Sequence, residues 1–232
     1  MKLAIVIPTY QRPDGKTKQY LIRALNSVQS QIHKDYHIYL IGDKYEDNEE
    51  FQEIASQYSN ITAVNMEVAV ERSKYNHGDF RLYCAGGVNA HLTGVEMAIK
   101  DGYDYICHLC HDDWWEPDHL NYLSEVADRF DPLFITSISS FIGGSHLPIV
   151  NADGKIYKHI PEPGYVCISS TCVKYTSTAL RVRDCFADTG TAIPADAELW
   201  IRMGQEMRQE YKAGYVVTSV TCHHEEDGYS RG

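Results

Sequence analysis

The chain has 232 residues, 44% hydrophobic and 23% charged, enough for one elaborated globular domain on the usual ~150-residue scale and too unbiased for a disordered or coiled-coil polymer. Its 21 lysines and arginines against 32 aspartates and glutamates leave a net charge of −11, which opposes binding to nucleic acid or to an anionic membrane surface. No apolar run approaches the ~20 residues of a membrane span, and Leu3 to Ile7 is too short for a signal-peptide core. The chain therefore reads as cytoplasmic, and its seven cysteines as reduced thiols.

Leu3-Ala4-Ile5-Val6-Ile7 is a continuous apolar run of the kind buried on both faces of a parallel sheet, with Pro8 as its stop. Leu21, Ala24, Leu25, Val28 and Ile32 recur at helical spacing. Ile38 to Ile41 predicts the next strand, ended at Gly42, and Phe51, Ile54, Ala55 and Tyr58 a second helix. Ile61 to Val64 reads as a third strand. Residues 66 to 85 keep no period and read as a functional or flexible loop holding Lys74, His77, Gly78 and Arg81. Val88, Leu92, Val95 and Ile99 predict a helix, and Tyr105 to Leu109 a fourth strand. This alternation defines an α/β sheet with parallel first strands and right-handed crossovers.

The second half is less regular. Leu120, Leu123, Ala127 and Phe130 fit a helix, and Leu133 to Ser137 a strand. Asp153-Gly154 between Pro148-Ile149-Val150 and Lys155-Ile156-Tyr157 predicts a tight hairpin. Residues 196 to 208 read as a helix and Tyr215 to Val220 as the last strand.

Ligands of open α/β sheets bind beyond the carboxyl ends of the parallel strands. Three strand ends carry candidates: Pro8-Thr9-Tyr10, Gly42-Asp43 and His111-Asp112-Asp113. Each alone reads equally as a turn or cap. Two adjacent acids, however, repel one another, and Mg²⁺ held by one or two carboxylates plus substrate phosphates is a natural compensation. Cys107-x-x-Cys110 has zinc-like spacing, but residues three apart on a strand point to opposite faces, which argues against a shared metal.

Taken in order, Ile5-Val6-Ile7-Pro8-Thr9-Tyr10-Gln11-Arg12, Leu40-Ile41-Gly42-Asp43, the run from Tyr105 through His111-Asp112-Asp113-Trp114-Trp115-Glu116-Pro117 to Leu120, and Ala195-Asp196-Ala197-Glu198-Leu199-Trp200-Ile201-Arg202 resemble a family 2 glycosyltransferase of the GT-A fold. The resemblance implies a single domain over residues 1–232, with a nucleotide-binding half (1–113) and an acceptor-binding half (114–232). Its sheet would be mixed, mostly parallel and helix-flanked in the N-terminal half and irregular in the C-terminal half.

By resemblance, Pro8, Thr9, Tyr10, Asp43, His111 and Asp112 hold the nucleotide, with Asp43 near the base. Asp112 matches the second acid of a D-x-D motif whose first acid is Cys110 here, making it the first choice of metal ligand, with Asp113 second and His224, beside the diphosphate, as a further metal ligand. The cation would be Mn²⁺ or Mg²⁺. Where the family often has Arg-Asn before Gly94 this chain has His91-Leu92, leaving Arg81 as a substitute basic contact. Asp196 matches the general base of inverting members, with a helix N-cap as its structural alternative and Glu198 or Asp188 as fallback bases. Trp114 and Trp115 offer apolar faces for an acceptor sugar, or core packing.

The implied activity is metal-dependent inverting transfer of a sugar from a nucleoside diphosphate sugar, UDP-sugar favoured, to a hydroxyl of a glycan or other acceptor. Two rivals remain: a sugar-nucleotidyltransferase, disfavoured by the single glycine in Tyr10 to Gly15, and a catalytically silent nucleotide-sugar-binding module, suggested by Cys110 and His91-Leu92. A nicotinamide dehydrogenase would need a G-x-G-x-x-G after the first strand, which the chain lacks.

Overall fold

The N-terminal apolar run becomes β1, Leu3–Thr9, in a computed structural model that describes residues 1–76, 78–141, 144–175, 193–209 and 212–225. Its alternation explains why the run has no polar break. Leu3, Ile5 and Ile7 pack on one face against Leu21, Ala24 and Leu25 of α1 (Thr17–Gln29), Phe51 and Ile54 of α2 (Asn48–Ser56), and residues of a later helix. Ala4 and Val6 enter a second core on the other face. Full burial of each large aliphatic side chain contributes about 1.5–3 kcal/mol, so both faces hold the strand in place.

β2 (Tyr36–Gly42) pairs parallel with β1, and β3 (Ile61–Asn65) parallel with β2. Two short helices, α3 (Val70–Lys74) and α4 (Phe80–Ala85), then lead into α5 (Val88–Lys100). β4 (Tyr105–His108) pairs parallel with β1 on the side opposite β2. The chain continues through β5 (Trp114–Trp115), α6 (His119–Phe130), β6 (Phe134–Phe141), β7 (His146–Leu147), β8 (Ile156–His159), a 3₁₀ turn (Ile168–Ser170) and β9 (Thr171–Lys174). It then forms α7 (Ala195–Gln209) and β10 (Gly214–His224).

The ten strands among the described residues form one sheet, ordered β3-β2-β1-β4-β9-β6-β10-β5, with β7 beside β6 and β8 beside β10. β9 runs antiparallel to both β4 and β6, while β10 is parallel to β6. α6 completes the first core through Leu120 and Leu123; α5 and α7 cover the second through Val95, Leu199, Trp200 and Met203. β1 turns to β2 on one side and to β4 on the other, so the crevice beyond β1 and β4 is the topological switch point where such sheets bind ligands.

Several expectations change. β1 runs through Pro8 to Thr9: Leu109 N–H donates to Val6 O, and the β4 ladder ends at His108, so the N–H that Pro8 lacks faces a side where pairing has already stopped. Ile32 lies beyond α1 and is exposed. The supposed loop at 66–85 contains α3 and α4. No hairpin forms around Asp153-Gly154, because β7 pairs with β6 and β8 with β10. The last strand extends past Val220, so His223 and His224 are strand residues. His77 and Asp188 lie outside the described residues.

Candidate active site

The ends of β1 and β2 are tied together by Asp43 N–H, which donates to Thr9 O at 2.7 Å. Thr9 and Asp43 are almost fully buried, yet among the described residues Thr9 Oγ1 and Asp43 Oδ1 have no hydrogen-bond partner. Burial raises the Asp43 pKa, and the Arg72 guanidinium of α3 opposes the rise from 3.1 Å. Arg72 also lies 5.2 Å over the Tyr10 ring, and Tyr10 meets His111 edge-on at 5.5 Å. Tyr10, Asp43 and His111 are thereby joined through Arg72 and Tyr10.

Beyond β4 the chain turns tightly. Asp113 N–H donates to Cys110 O (3.1 Å), and Cys110 N–H donates to Ser169 Oγ (3.0 Å). Trp115 pins the same 3₁₀ turn by donating its indole N–H to Ser169 O at 2.6 Å. Its ring is 2% exposed and stacked on His119, so Trp115 belongs to the core and offers no face to an acceptor. Trp114 is half-buried, with Arg23 4.0 Å over its ring and His223 stacked on it at 5.1 Å.

The two acids of this turn face different partners. Asp112 Oδ2 lies 3.9 Å from Arg12 Nη1, and its carbonyl accepts from Arg23. Burial raises its carboxyl pKa, and the charge of neighbouring Asp113 adds to the rise. Asp113 is fully buried; its Oδ1 accepts from His224 Nδ1 at 2.8 Å and from Glu225 N–H at 3.1 Å. Burial alone would lower the His224 pKa, but the Asp113 carboxylate wins and lifts it to about 10. Asp113 Oδ2 and His111 Nε2 are buried without partners among the described residues. Thus Asp113, rather than Asp112, is the acid paired with His224.

Among the described residues, two clusters have the donor atoms for a cation within 4.8 Å of one another: Cys110, Asp112 and Asp113, and Asp113, Cys167 and His224. A buried carboxylate oxygen without a partner, next to an imidazole, fits a divalent cation. Cys107 takes no part: it faces Cys172 across the β4–β9 pair while Cys110 turns to the acids, so the Cys-x-x-Cys spacing is split between core and site.

Asp196 is half-buried at the second residue of α7, so it is not the N-cap. Its Oδ1 accepts from Ala197 N–H at 2.8 Å, burial raises its pKa, and its charge is felt by Cys84 of α4. Glu198 is engaged by Arg202 at 3.0 Å. Arg81 is held on the exposed side of α4 by Asp79 at 2.6 Å. His91 is buried and hydrogen-bonded to His108, which also meets Tyr175 Oη at 3.2 Å; burial holds both imidazoles neutral, His91 down to about 3.

Sequence reasoning passed over Arg12, Arg23, Arg72 and Cys167. Arg12 stands inside the Pro8 to Arg12 segment, which was its signal. Arg23 and Arg72 lie on a helix face and in an aperiodic stretch, and Cys167 has no local pattern at all.

Residues 4–149 match the family model described as glycosyl transferase family 2. The chain belongs to this family and is a glycosyltransferase. It is 29% identical over 238 residues to an uncharacterized glycosyltransferase of Acanthamoeba polyphaga mimivirus, covering 98% of this chain and 95% of that one. Against the succinoglycan biosynthesis protein ExoW of Rhizobium meliloti (strain 1021) it is 33% identical over 130 residues, 56% of this chain and 35% of ExoW. Among solved structures it is similar to S. aureus TarS 1-349 in complex with UDP-GlcNAc, with a TM-score of 0.69 at 12% identity, over 97% of this chain and 59% of that one. That likeness establishes the GT-A fold. No helix among the described residues is long and apolar enough to cross a membrane.

Proposed function

We propose that this chain is a metal-dependent inverting glycosyltransferase that moves a sugar from a UDP-sugar to a hydroxyl of a glycan. One observation carries the reading: Thr9 Oγ1, Asp43 Oδ1, His111 Nε2 and Asp113 Oδ2, four buried polar atoms without partners among the described residues, all stand at the carboxyl end of β1 or just beyond β2 and β4. Buried polar atoms normally find a partner, and a nucleoside diphosphate supplies donors, acceptors and charge for such a set. TarS structures containing UDP and UDP-GlcNAc support the donor class. Relatives named for succinoglycan and amylovoran biosynthesis support a glycan acceptor.

In this reading residues 1–113 grip the donor and residues 114–232 present the acceptor. Thr9, Tyr10 and Asp43 hold the nucleoside, Arg72 counters the effect of burial on Asp43, and Arg12 and Arg23 offset the charge around Asp112. Asp112, Asp113 and His224 stand beside the diphosphate, where a bound divalent cation, Mn²⁺ or Mg²⁺ in the family, would stabilise the leaving group's charge. Asp196 accepts the acceptor hydroxyl's proton as its oxygen bonds to the anomeric carbon. The bond from that carbon to the diphosphate oxygen breaks with its electron pair leaving on the diphosphate. A cytoplasmic location agrees with the six described cysteines, all free thiols.

A screen of UDP-sugars with Mn²⁺ and oligosaccharide acceptors, read by UDP release and by the anomeric proton couplings of the product, tests this reading. Product with the donor's anomeric configuration would refute inversion. UDP binding with neither transfer nor donor hydrolysis would favour the silent binding module, for which Cys110 in place of the first acid is the specific argument.

A further inference from the structure

Cys167 has no part in the steps above, yet it is buried beside the acid and imidazole on which the donor site depends. It immediately precedes the 3₁₀ turn that fixes Trp115 and Cys110. Donor atoms of Asp113, Cys167 and His224 all lie within 4.8 Å of one another. Asp113 Oδ1 is already taken by His224 and Glu225, whereas Oδ2, on a side chain with no exposure, has no partner. One carboxylate, one thiol and one imidazole therefore converge on a small volume with an unsatisfied oxygen.

That donor set discriminates among cations. Oxygen shells suit Mg²⁺, which dehydrates reluctantly and keeps its waters, whereas thiolate and imidazole suit zinc-class ions. Three protein ligands with a fourth position open to water or substrate is the arrangement of reactive rather than structural zinc sites. The competing cluster of Cys110, Asp112 and Asp113 shares one acid but offers no nitrogen, and its Asp112 already faces Arg12 at 3.9 Å. We infer that Asp113, Cys167 and His224 form a thiolate-containing site for a zinc-class divalent cation, in preference to Mg²⁺. The cation takes the place of the hydrogen bond now joining His224 Nδ1 to Asp113 Oδ1. The inference rests on the donor-site reading above and narrows which cation serves it.

Co²⁺ alone, titrated into the full chain under reducing conditions, reads the site without donor or acceptor. One equivalent should bind with a thiolate-to-cobalt charge-transfer band in the near ultraviolet, displaced by stoichiometric Zn²⁺ and not by a large excess of Mg²⁺. Cys167→Ser should abolish the band and weaken Co²⁺ binding by more than the roughly 10- to 100-fold that losing an outer-shell partner costs, while Cys110→Ser should keep both. A wild-type protein without the band, a band surviving Cys167→Ser, or displacement by Mg²⁺ would each overturn the inference. Should Cys167→Ser fail to fold, X-ray absorption at the zinc edge of the wild-type protein decides instead: a sulfur neighbour at about 2.3 Å is expected, and a shell of nitrogen and oxygen alone refutes it. UDP calorimetry on the same samples separates the two readings. A sulfur-free shell with UDP still bound sinks the thiolate site alone, and a thiolate band with no UDP affinity supports the metal site while removing the donor reading.

Discussion

The guanidinium of Arg72 reaches from α3 to the carboxylate of Asp43 at the end of β2, Nε to Oδ2 3.1 Å, and rests over Tyr10 on the way. The pair opposes the rise that burial imposes on the Asp43 pKa, and leaves Asp43 Oδ1 without a partner among the described residues.

Asp43→Ala should therefore weaken UDP binding, by the roughly 1.5–3 kcal/mol of a hydrogen bond to a charged group, about 10- to 150-fold in Kd. Arg72→Gln should weaken it in the same direction. Calorimetry with UDP and with phosphate alone checks both; equal UDP affinity in wild type and Asp43→Ala removes Asp43 from the site.

Asp196→Asn should slow transfer by roughly a hundred- to ten-thousand-fold with donor affinity nearly unchanged. Asparagine keeps an oxygen for the Ala197 N–H, so the melting temperature should barely move. A near wild-type transfer rate would make Asp196 structural.

Gly94 in α5 lies so close to the sheet that an added Cβ would meet Val6 Cγ1 at 2.6 Å and Ile41 Cγ1 at 3.1 Å. Both contacts are short-branched chains in a filled core and have nowhere to move. Gly94→Ala should cost about 1–3 kcal/mol of stability, seen as a lower urea midpoint; an unchanged midpoint would mean that α5 can slide on β1 and β2.

Stability should fall as pH drops below about 6.5, where the unfolded histidines begin to charge. His91, His108 and His119 are buried and held neutral, the first and last down to about 3. Between these limits the unfolded chain binds protons that the folded one refuses, so each residue removes up to about 1.4 kcal/mol per pH unit. His224 has the opposite sign: raised to about 10 by Asp113, it stabilises the metal-free fold below 6.5, and that contribution is lost as pH rises toward 10. Denaturation midpoints at pH 5, 6 and 7 test the acid side, and a flat profile across them would contradict the buried neutral histidines.

The parallel half of the fold is legible in sequence because its strands are buried on both faces and its helices keep one apolar stripe. Leu3 to Ile7 and Ile38 to Ile41 have no other reading. β9 is four residues long, and its place between β4 and β6 is set by pairing across the sheet, which leaves no local trace. At the site, adjacent acids at a strand end announced Asp112 and Asp113, but which of them meets His224 depends on the turn pinned by Ser169. Arg72 and Cys167 come to the site from segments without periodicity, so only the folded arrangement identifies them.

β10 also sets an order of assembly. The β1–β2 and β2–β3 pairs join strands next to each other in the chain, whereas β1 must also find β4 and β10 must enter between β6 and β5, and pairings between distant segments are expected to form late. The β1–β3 unit is therefore expected to take shape while β10 is still unpaired, with His224 reaching Asp113 late in folding. Pulsed hydrogen exchange during refolding should protect the β1–β3 amides before those of β10. A chain caught between the two stages would have the ends of β1 and β2 in place but lack the imidazole partner of its buried acid, so in the proposed reading nucleotide binding and catalytic competence would be acquired separately.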